Sequence, residues 1–273
     1  MLRKRNTKII ATLGPSSSSP SKIHSIFQAG ADIFRLNFSH GSHEDHRRRV
    51  YHIRQYEKRL GRPIAILGDL QGPKIRIGNF KNSHVILKNN QRFTLDLNIK
   101  LGDEKRVLLP HSEIYKSVKK NNKILIDDGK IILNVNSVSS DKIITEVVNG
   151  GRISNKKGVN IPETFIKMSS LTKKDLKDLE LCLNLSIDYV ALSFVQKSKD
   201  IIDLKKYTGE QTAIMAKFEK PLAIKRMEEI LNHCDAAMVA RGDLGVEMPP
   251  EEVPIIQKRL VDACRNHGKP VVV

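Results

Sequence analysis

Two short apolar runs, Ala213 to Phe218 and Ala236 to Ala240, joined by a helical stretch from Pro221 to about Leu231, constrain this chain more than any other feature. Such a crossover between apolar strands is what a parallel sheet requires. Side chains two apart on a strand point to the same side, so Lys217 and Glu219 leave the first strand together. Asp243, behind Arg241 and Gly242, is expected to leave the second strand at a comparable height. That sets an ammonium and two carboxylates at the C-terminal ends of neighbouring strands, where α/β sheets and barrels keep their chemistry. Two carboxylates near one lysine suit Mg2+, which takes few protein ligands; a salt bridge at a strand end would use the same residues. Gly242 favours the cation, because a residue without Cβ lets backbone approach a ligand closely.

The alternation recurs along the chain. Thr7 to Leu13, Ala31 to Leu36 and Pro63 to Leu67 are short β-rich runs, the first ended by Gly14-Pro15 and four serines. One helix is expected from about Ser21 to Ala29, burying Ile23, Ile26 and Phe27. Another opens at Ser42 with a capping box to Asp45 and runs to about Leu60. Past Gly158 come a helix from Thr172 with Leu176, Leu179 and Leu183 on one stripe, a strand from Tyr189 to Phe194 and a helix from Ser198 to about Tyr207. A helix between Pro249-Pro250 and His267-Gly268 follows, and Lys269-Pro270-Val271 opens a seventh strand. Repeated units of this kind predict the α/β class with a parallel sheet.

Between about Lys74 and Lys157 the pattern changes. Alternating runs at His84 to Lys88, Arg92 to Leu97, Lys123 to Ile126 and Lys130 to Val135 are separated by turns at Leu101-Gly102-Asp103, Asp127-Asp128-Gly129 and Asn149-Gly150. No helical period persists. The stretch reads as a small antiparallel β domain, with 17 basic side chains against 8 acidic ones. At the mouth of a barrel it could act as a lid, or be a solvated decoration. The expected organisation is residues 1–72 and 169–273 as two parts of a parallel unit, with 73–168 inserted between them.

At the end of the second strand, Arg35, Asn37 and Ser39 share one side and Phe38 takes the other. This offers a guanidinium for phosphate and two neutral oxygens for a weakly hydrated cation; a strand end followed by a helix cap would look the same. His40, His43 and His46 lie three apart, but such positions drift round a helix and no fourth ligand is evident, which argues against zinc.

The net charge of +17 invites a nucleic-acid partner. Against it, basic residues are spread along the whole chain, tryptophan is absent and aromatics make up 5%, so stacking platforms are scarce. A phosphorylated small substrate wants the same positive field. No run of 18 apolar residues suggests a membrane span. The apolar stretch behind the basic start, Ile9 to Leu13, is too short for an export signal. Cys182, Cys234 and Cys264 lack metal spacing and fit free thiols in a reducing cytoplasm.

The motifs together resemble the pyruvate kinases over nearly the whole chain: TKIIATLGPSS at 7–17, FRLNFSHG at 34–41, DLQGPKIR at 69–76, IDDG at 126–129, NGG and KKGVNIP within 149–162, ALSFV at 191–195 and MVARGDLGVE at 238–247. The resemblance implies a (βα)8-type TIM barrel interrupted after its third strand by a β-barrel lid, transferring a phosphoryl group from phosphoenolpyruvate to ADP. It further implies that Arg35 contacts that group and Lys217 stabilises transition-state charge. Glu219 and Asp243 would hold Mg2+, while Asn37, Ser39, Asp69 and the Leu70 carbonyl would hold K+. Asn37, Ser39, His40, Arg76 and Lys157 would border the nucleotide, and Gly242 with Asp243 would meet the substrate.

The family's barrel needs eight strands, and seven are counted here. The expectation is an incomplete barrel with two unpaired sheet edges, marginally stable and little active as 273 residues alone. A complementing C-terminal polypeptide would complete it, and a homo-oligomer is the other expected partner. A Mg-dependent lyase or aldolase of pyruvate-enolate chemistry is the alternative enzyme, and a basic nucleotide- or protein-binding fragment the non-catalytic one.

Overall fold

The structure, a computed structural model, describes residues 5–162 and 164–273; residues 1–4 and Glu163 lie outside them. The chain begins with β1 (Ile10–Leu13), α1 (Pro20–Ala29), β2 (Ile33–Asn37), α2 (His43–Leu60) and β3 (Ala65–Asp69). It continues into β4 (His84–Leu87), β5 (Arg92–Asp96), β6 (Arg106–Leu108), α3 (Ser112–Ser117), β7 (Lys123–Ile126), β8 (Ile131–Val138), β9 (Lys142–Asn149), β10 (Gly151–Ser154) and β11 (Val159–Asn160). It returns through α4 (Lys173–Asn184), β12 (Tyr189–Leu192), α5 (Ser198–Thr208), β13 (Ala213–Phe218), α6 (Pro221–Lys225), α7 (Met227–Leu231), β14 (Ala236–Val239), α8 (Arg241–Glu247), α9 (Val253–Asn266) and β15 (Val271–Val272).

Seven strands form one parallel sheet in the order β1-β2-β3-β12-β13-β14-β15. β12 lies directly against β3, so the segment from β4 to β11 is an excursion from neighbouring strands, and α4 rejoins the barrel's own cluster. The sheet is the expected incomplete TIM barrel, with β1 and β15 at its edges. Its strands are short, and β14 is buried at every position, as strands covered on both faces must be.

Two apolar clusters divide those faces. Phe34, Leu36, Ile66, Val190, Leu192, Ile214, Ala216, Phe218 and Val239 pack outward with helix residues such as Phe27, Ile53, Leu204 and Leu260. Leu67, Ala191, Met215, Ala236 and Met238, with Ile10, Ile33 and Val272 against them, form a smaller inner cluster. Two-residue periodicity then decides which polar side chains at the strand ends share that inner face.

Caps and stops follow local chemistry. Ser42 with Asp45, and Thr172 with Asp175, form reciprocal capping boxes on α2 and α4. The expected helix from Pro221 to Leu231 is two pieces: the Arg226 amide donates to both the Leu222 and Ala223 carbonyls, and the tightened turn breaks the helix there. On α4, Asp175 and Asp178 are buried beside Leu179 and Cys182, while Leu176 and Leu183 stay partly exposed; the expected leucine stripe is displaced by bonded acids.

The excursion has its own core, including Ile75, Phe93, Val107, Ile124, Leu133, Ile143 and Ile161. Its strands form a sheet in the order β11-β7-β8-β9-β5-β6 and a β10-β4 ribbon. Its ladders are antiparallel except β5 with β6, which run parallel. The helix α3 escaped the sequence reading because one and a half turns are too few to show a period. It is held by buried Ile114 and Tyr115, whose hydroxyl donates to the Leu109 carbonyl at 3.0 Å. Among the described residues no helix is long and apolar enough to cross a membrane.

Candidate active site

Lys217 follows Met215 on the inner side of β13, Asp69 follows Leu67 on β3, and Arg35 follows Ile33 on β2. The same two-residue step therefore brings an ammonium, a carboxylate and a guanidinium to one end of the barrel interior. Lys217 Nζ lies 2.7 Å from Glu219 Oε1 and 3.1 Å from Asp69 Oδ1, and donates to Ser193 Oγ at 2.8 Å. Arg35 Nε donates to Asp69 Oδ2 at 2.8 Å, and its Nη1 to Thr12 Oγ1 at 3.0 Å. Ser193 Oγ donates in turn to the Leu70 carbonyl at 2.8 Å.

This network is buried: Glu219 is 2% exposed, Asp69 1% and Lys217 8%. Burial pulls the Lys217 ammonium down, but the Glu219 and Asp69 carboxylates outweigh it and hold it above the ordinary lysine value. Burial pushes Glu219 up and the Asp243 charge adds to this, against Lys217 and the Phe194 amide, which donates to Glu219 Oε2 at 2.9 Å. Glu219 thus retains an appetite for positive charge. Asp69 Oδ1 is buried without an aligned hydrogen-bond donor. An acid set of this kind, all oxygen, fits a hard cation. Among the described residues, no group of three or more His, Cys, Asp or Glu could hold a metal ion, so a cation here would need ligand oxygens from substrate or water.

Asp243 is not at a strand end as expected. α8 starts directly after Ala240, which places Asp243 in its first turn, exposed to solvent. There it lines a cleft of about 290 Å³ with Lys74, Arg76, Asp127, Lys157 and Phe194. The cleft runs between barrel and inserted domain. Arg76 Nη1 donates to the Lys156 carbonyl at 2.8 Å, and Lys157 Nζ pairs with Asp127 Oδ1 at 2.9 Å. Asp127, Asp128 and Gly129 all have positive φ, which explains the Asp-Asp-Gly sequence of that turn.

The remaining expected positions are peripheral to the Lys217 network. Asn37 is registered against Asp69, and its Oδ1 accepts from the Ser39 amide at 3.0 Å. His40 is exposed; its carbonyl accepts from His46 Nε2 at 3.1 Å. Gly242 is exposed and a Cβ there would meet open space, so the protein's own packing does not demand the glycine. His43 and His46 are used structurally, His43 donating to Asp178 at 2.7 Å and His46 stacking on Phe38.

Sequence reasoning missed four residues that shape the pocket. Ser193 joins Lys217 to Leu70, and Thr12 anchors Arg35. Phe194, at φ +57, holds a backbone conformation rarely taken by a bulky residue. Lys174 Nζ donates to the Phe38 carbonyl at 2.6 Å, bracing the loop of Asn37 and Ser39 from α4. Ser193, Phe194 and Thr12 lie inside the motifs ALSFV and TKIIATLGPSS, while Lys174 lies in none; the parallel register that sets Thr12 opposite Arg35 shows only in the fold.

Fold and pocket define a class, a parallel βα-barrel domain with an inserted β domain and a buried, oxygen-rich charge network at its mouth. A sequence model of the pyruvate kinase barrel domain matches residues 4–273. The pyruvate kinase of Methylorubrum extorquens is 49% identical over 273 residues, covering all of this chain and 57% of that protein. One from Agrobacterium vitis is 48% identical over 276 residues, covering 98% of this chain and 57% of its own. A crystal structure of a Cryptosporidium parvum pyruvate kinase superposes with a TM-score of 0.94 at 32% identity, covering 98% of this chain and 57% of the other. The chain belongs to the pyruvate kinase family. It spans a little over half the length of the curated relatives it matches.

Proposed function

We propose that this protein moves the phosphoryl group of phosphoenolpyruvate to ADP, giving pyruvate and ATP. The single observation that carries the reading is the buried Lys217, 2.7 Å from Glu219 and 3.1 Å from Asp69, in a chain of this family. Phosphoryl transfer asks the protein for alignment and positive charge on the equatorial oxygens. Arg35 and Lys217 are the catalytic side chains in this reading, Arg35 against the moving group and Lys217 on the charge that develops as the bridging P–O bond breaks. Gly242 and Asp243 meet the substrate. Residues 73–168 act as a lid, and Asn37, Ser39, His40, Arg76 and Lys157 receive the nucleotide under it; closure would exclude water, whose attack merely hydrolyses the phosphate.

Two cations belong to the proposal. Mg2+ would be held by Glu219 and Asp243, K+ by Asn37, Ser39, Asp69 and the Leu70 carbonyl. When bound they add positive charge around the phosphoryl oxygens. Until then Lys217 and Arg35 neutralise the acids. Loss of the phosphoryl group leaves the enolate of pyruvate, whose oxygen the Lys217 ammonium can meet before protonation at carbon. Such a reaction fits a cytoplasmic setting.

ADP dependence tests this directly. Pyruvate formation from phosphoenolpyruvate, with Mg2+ and K+ present, is expected to require ADP and to yield equimolar ATP. Pyruvate released at the same rate without ADP, with free phosphate in its place, would indicate hydrolysis instead.

A further inference from the structure

Glu247 closes α8 four residues after Asp243 and is 3% exposed. Its Oε1 accepts from Asn160 Nδ2 at 2.7 Å, and Asn160 belongs to β11, the last strand of the inserted domain. The same oxygen pairs with Lys220, the residue after Glu219. Lys220 Nζ also sits 5.5 Å from the centre of the Phe194 ring, and the Phe194 amide is the donor to Glu219. The second oxygen, Oε2, is buried with no hydrogen-bond partner. One carboxylate therefore joins three pieces distant in sequence: the inserted domain, the helix of Asp243 and the turn behind Glu219. A buried acid with one bare oxygen is costly to keep for packing alone.

We propose that Glu247 is a positioning residue, which sets the spacing of Glu219 and Asp243 and latches the lid over them through Asn160. Residues four apart lie on one side of a helix, so tying Glu247 to Lys220 fixes the rotation of α8 and the direction of Asp243. The positioning half rests on the reading of Glu219 and Asp243 as one cation site; the latch half does not.

Variants separate the two. Asn160→Ala cuts the latch and keeps the ion pair. Lys220→Met combined with Glu247→Gln removes the ion pair without leaving a lone buried charge, and keeps an amide oxygen for Asn160. Hydrogen exchange in the ligand-free protein follows the amides of Val159 and Asp127, which donate to the Ile75 and Gly158 carbonyls at the root of the lid. Asn160→Ala and Glu247→Ala are each expected to speed this exchange about tenfold, and the double variant no more than either. Mn2+ binding, read by electron paramagnetic resonance, reports the other half. Asn160→Ala is expected to leave affinity within about twofold, while Glu247→Ala and the Lys220→Met, Glu247→Gln pair each lose about tenfold. Unchanged exchange in both single variants, or effects that add in the double, overturns the latch. Unchanged Mn2+ affinity in the paired variant, where the parent protein binds Mn2+, overturns the positioning role. A parent protein that binds no Mn2+ removes the cation reading and the positioning role with it, and exchange still decides the latch.

Discussion

Lys217 answers to three oxygens at once, and each loses something different when the ammonium is removed. Lys217→Met leaves Asp69 and Glu219 as buried acids without their shared partner, which costs about 3–5 kcal/mol in similar buried pairs. Urea denaturation of the variant is expected to show a loss of that size. Turnover is expected to fall about 10²–10³-fold if the ammonium meets developing charge. Gly72 is constrained from another direction: at φ +69, a Cβ would meet the Phe194 ring at 2.6 Å and Ser193 Cβ at 3.0 Å. Gly72→Ala is expected to cost about 1–3 kcal/mol by overpacking, visible as a lower urea midpoint. Asp127 gives a pH signature. The Lys157 hydrogen bond holds its carboxyl below the ordinary aspartate value, so the contribution of this pair is present above an unfolded pKa of about 3.9 and is lost as pH falls through the lower folded value. Carboxyl carbon chemical shifts are expected to report that low value, and Lys157→Met to return it toward the ordinary one.

Elements differ in how openly their sequences declare them. The inner-facing positions of β2 and β13 were legible because strand alternation is a local rule: Arg35 and Lys217 each follow an apolar residue two places earlier. Asp69 lies past the expected strand end at Leu67, since β3 runs on to it, and it entered only through the motif resemblance. The Ser42 capping box was legible by a local rule as well. α8 was not, because Arg241-Gly242-Asp243-Leu244-Gly245 has two poor helix formers and no capping side chain. It is held by tertiary contacts of Leu244 and Glu247, both buried, so Asp243 moved from an expected strand end to a helix start. α4 misled through its acids. Asp175 caps its own helix and also accepts from the Gly72 amide at 3.0 Å, and hydrophobic period does not register a residue buried by bonding. Thr172→Ala removes one half of that box and is expected to cost about 1 kcal/mol, measured by urea denaturation.

At the scale of the molecule, the barrel and the inserted domain bury separate apolar clusters. They are expected to lose hydrogen-exchange protection at different urea concentrations rather than in one transition. The three thiols all belong to the barrel and are buried; burial pushes the Cys264 thiol up to about 11. Reaction with an aromatic disulfide near pH 8 is expected to be slow in the native protein and to reach all three thiols in urea. Family membership accounts for the order of motifs along the chain, and the geometry accounts for why they meet: strand ends supply Arg35, Asp69 and Lys217, a helix start supplies Asp243, and the inserted domain supplies Arg76 and Lys157. The central claim is that the buried acid beside Lys217 is a seat for a divalent cation shared with substrate. Mn2+ binding by the parent chain and by Glu219→Gln, each with and without phosphoenolpyruvate, tests it most directly. The account predicts binding that phosphoenolpyruvate tightens in the parent and that Glu219→Gln weakens by about 10–100-fold; equal Mn2+ affinity in the two folded proteins would contradict it.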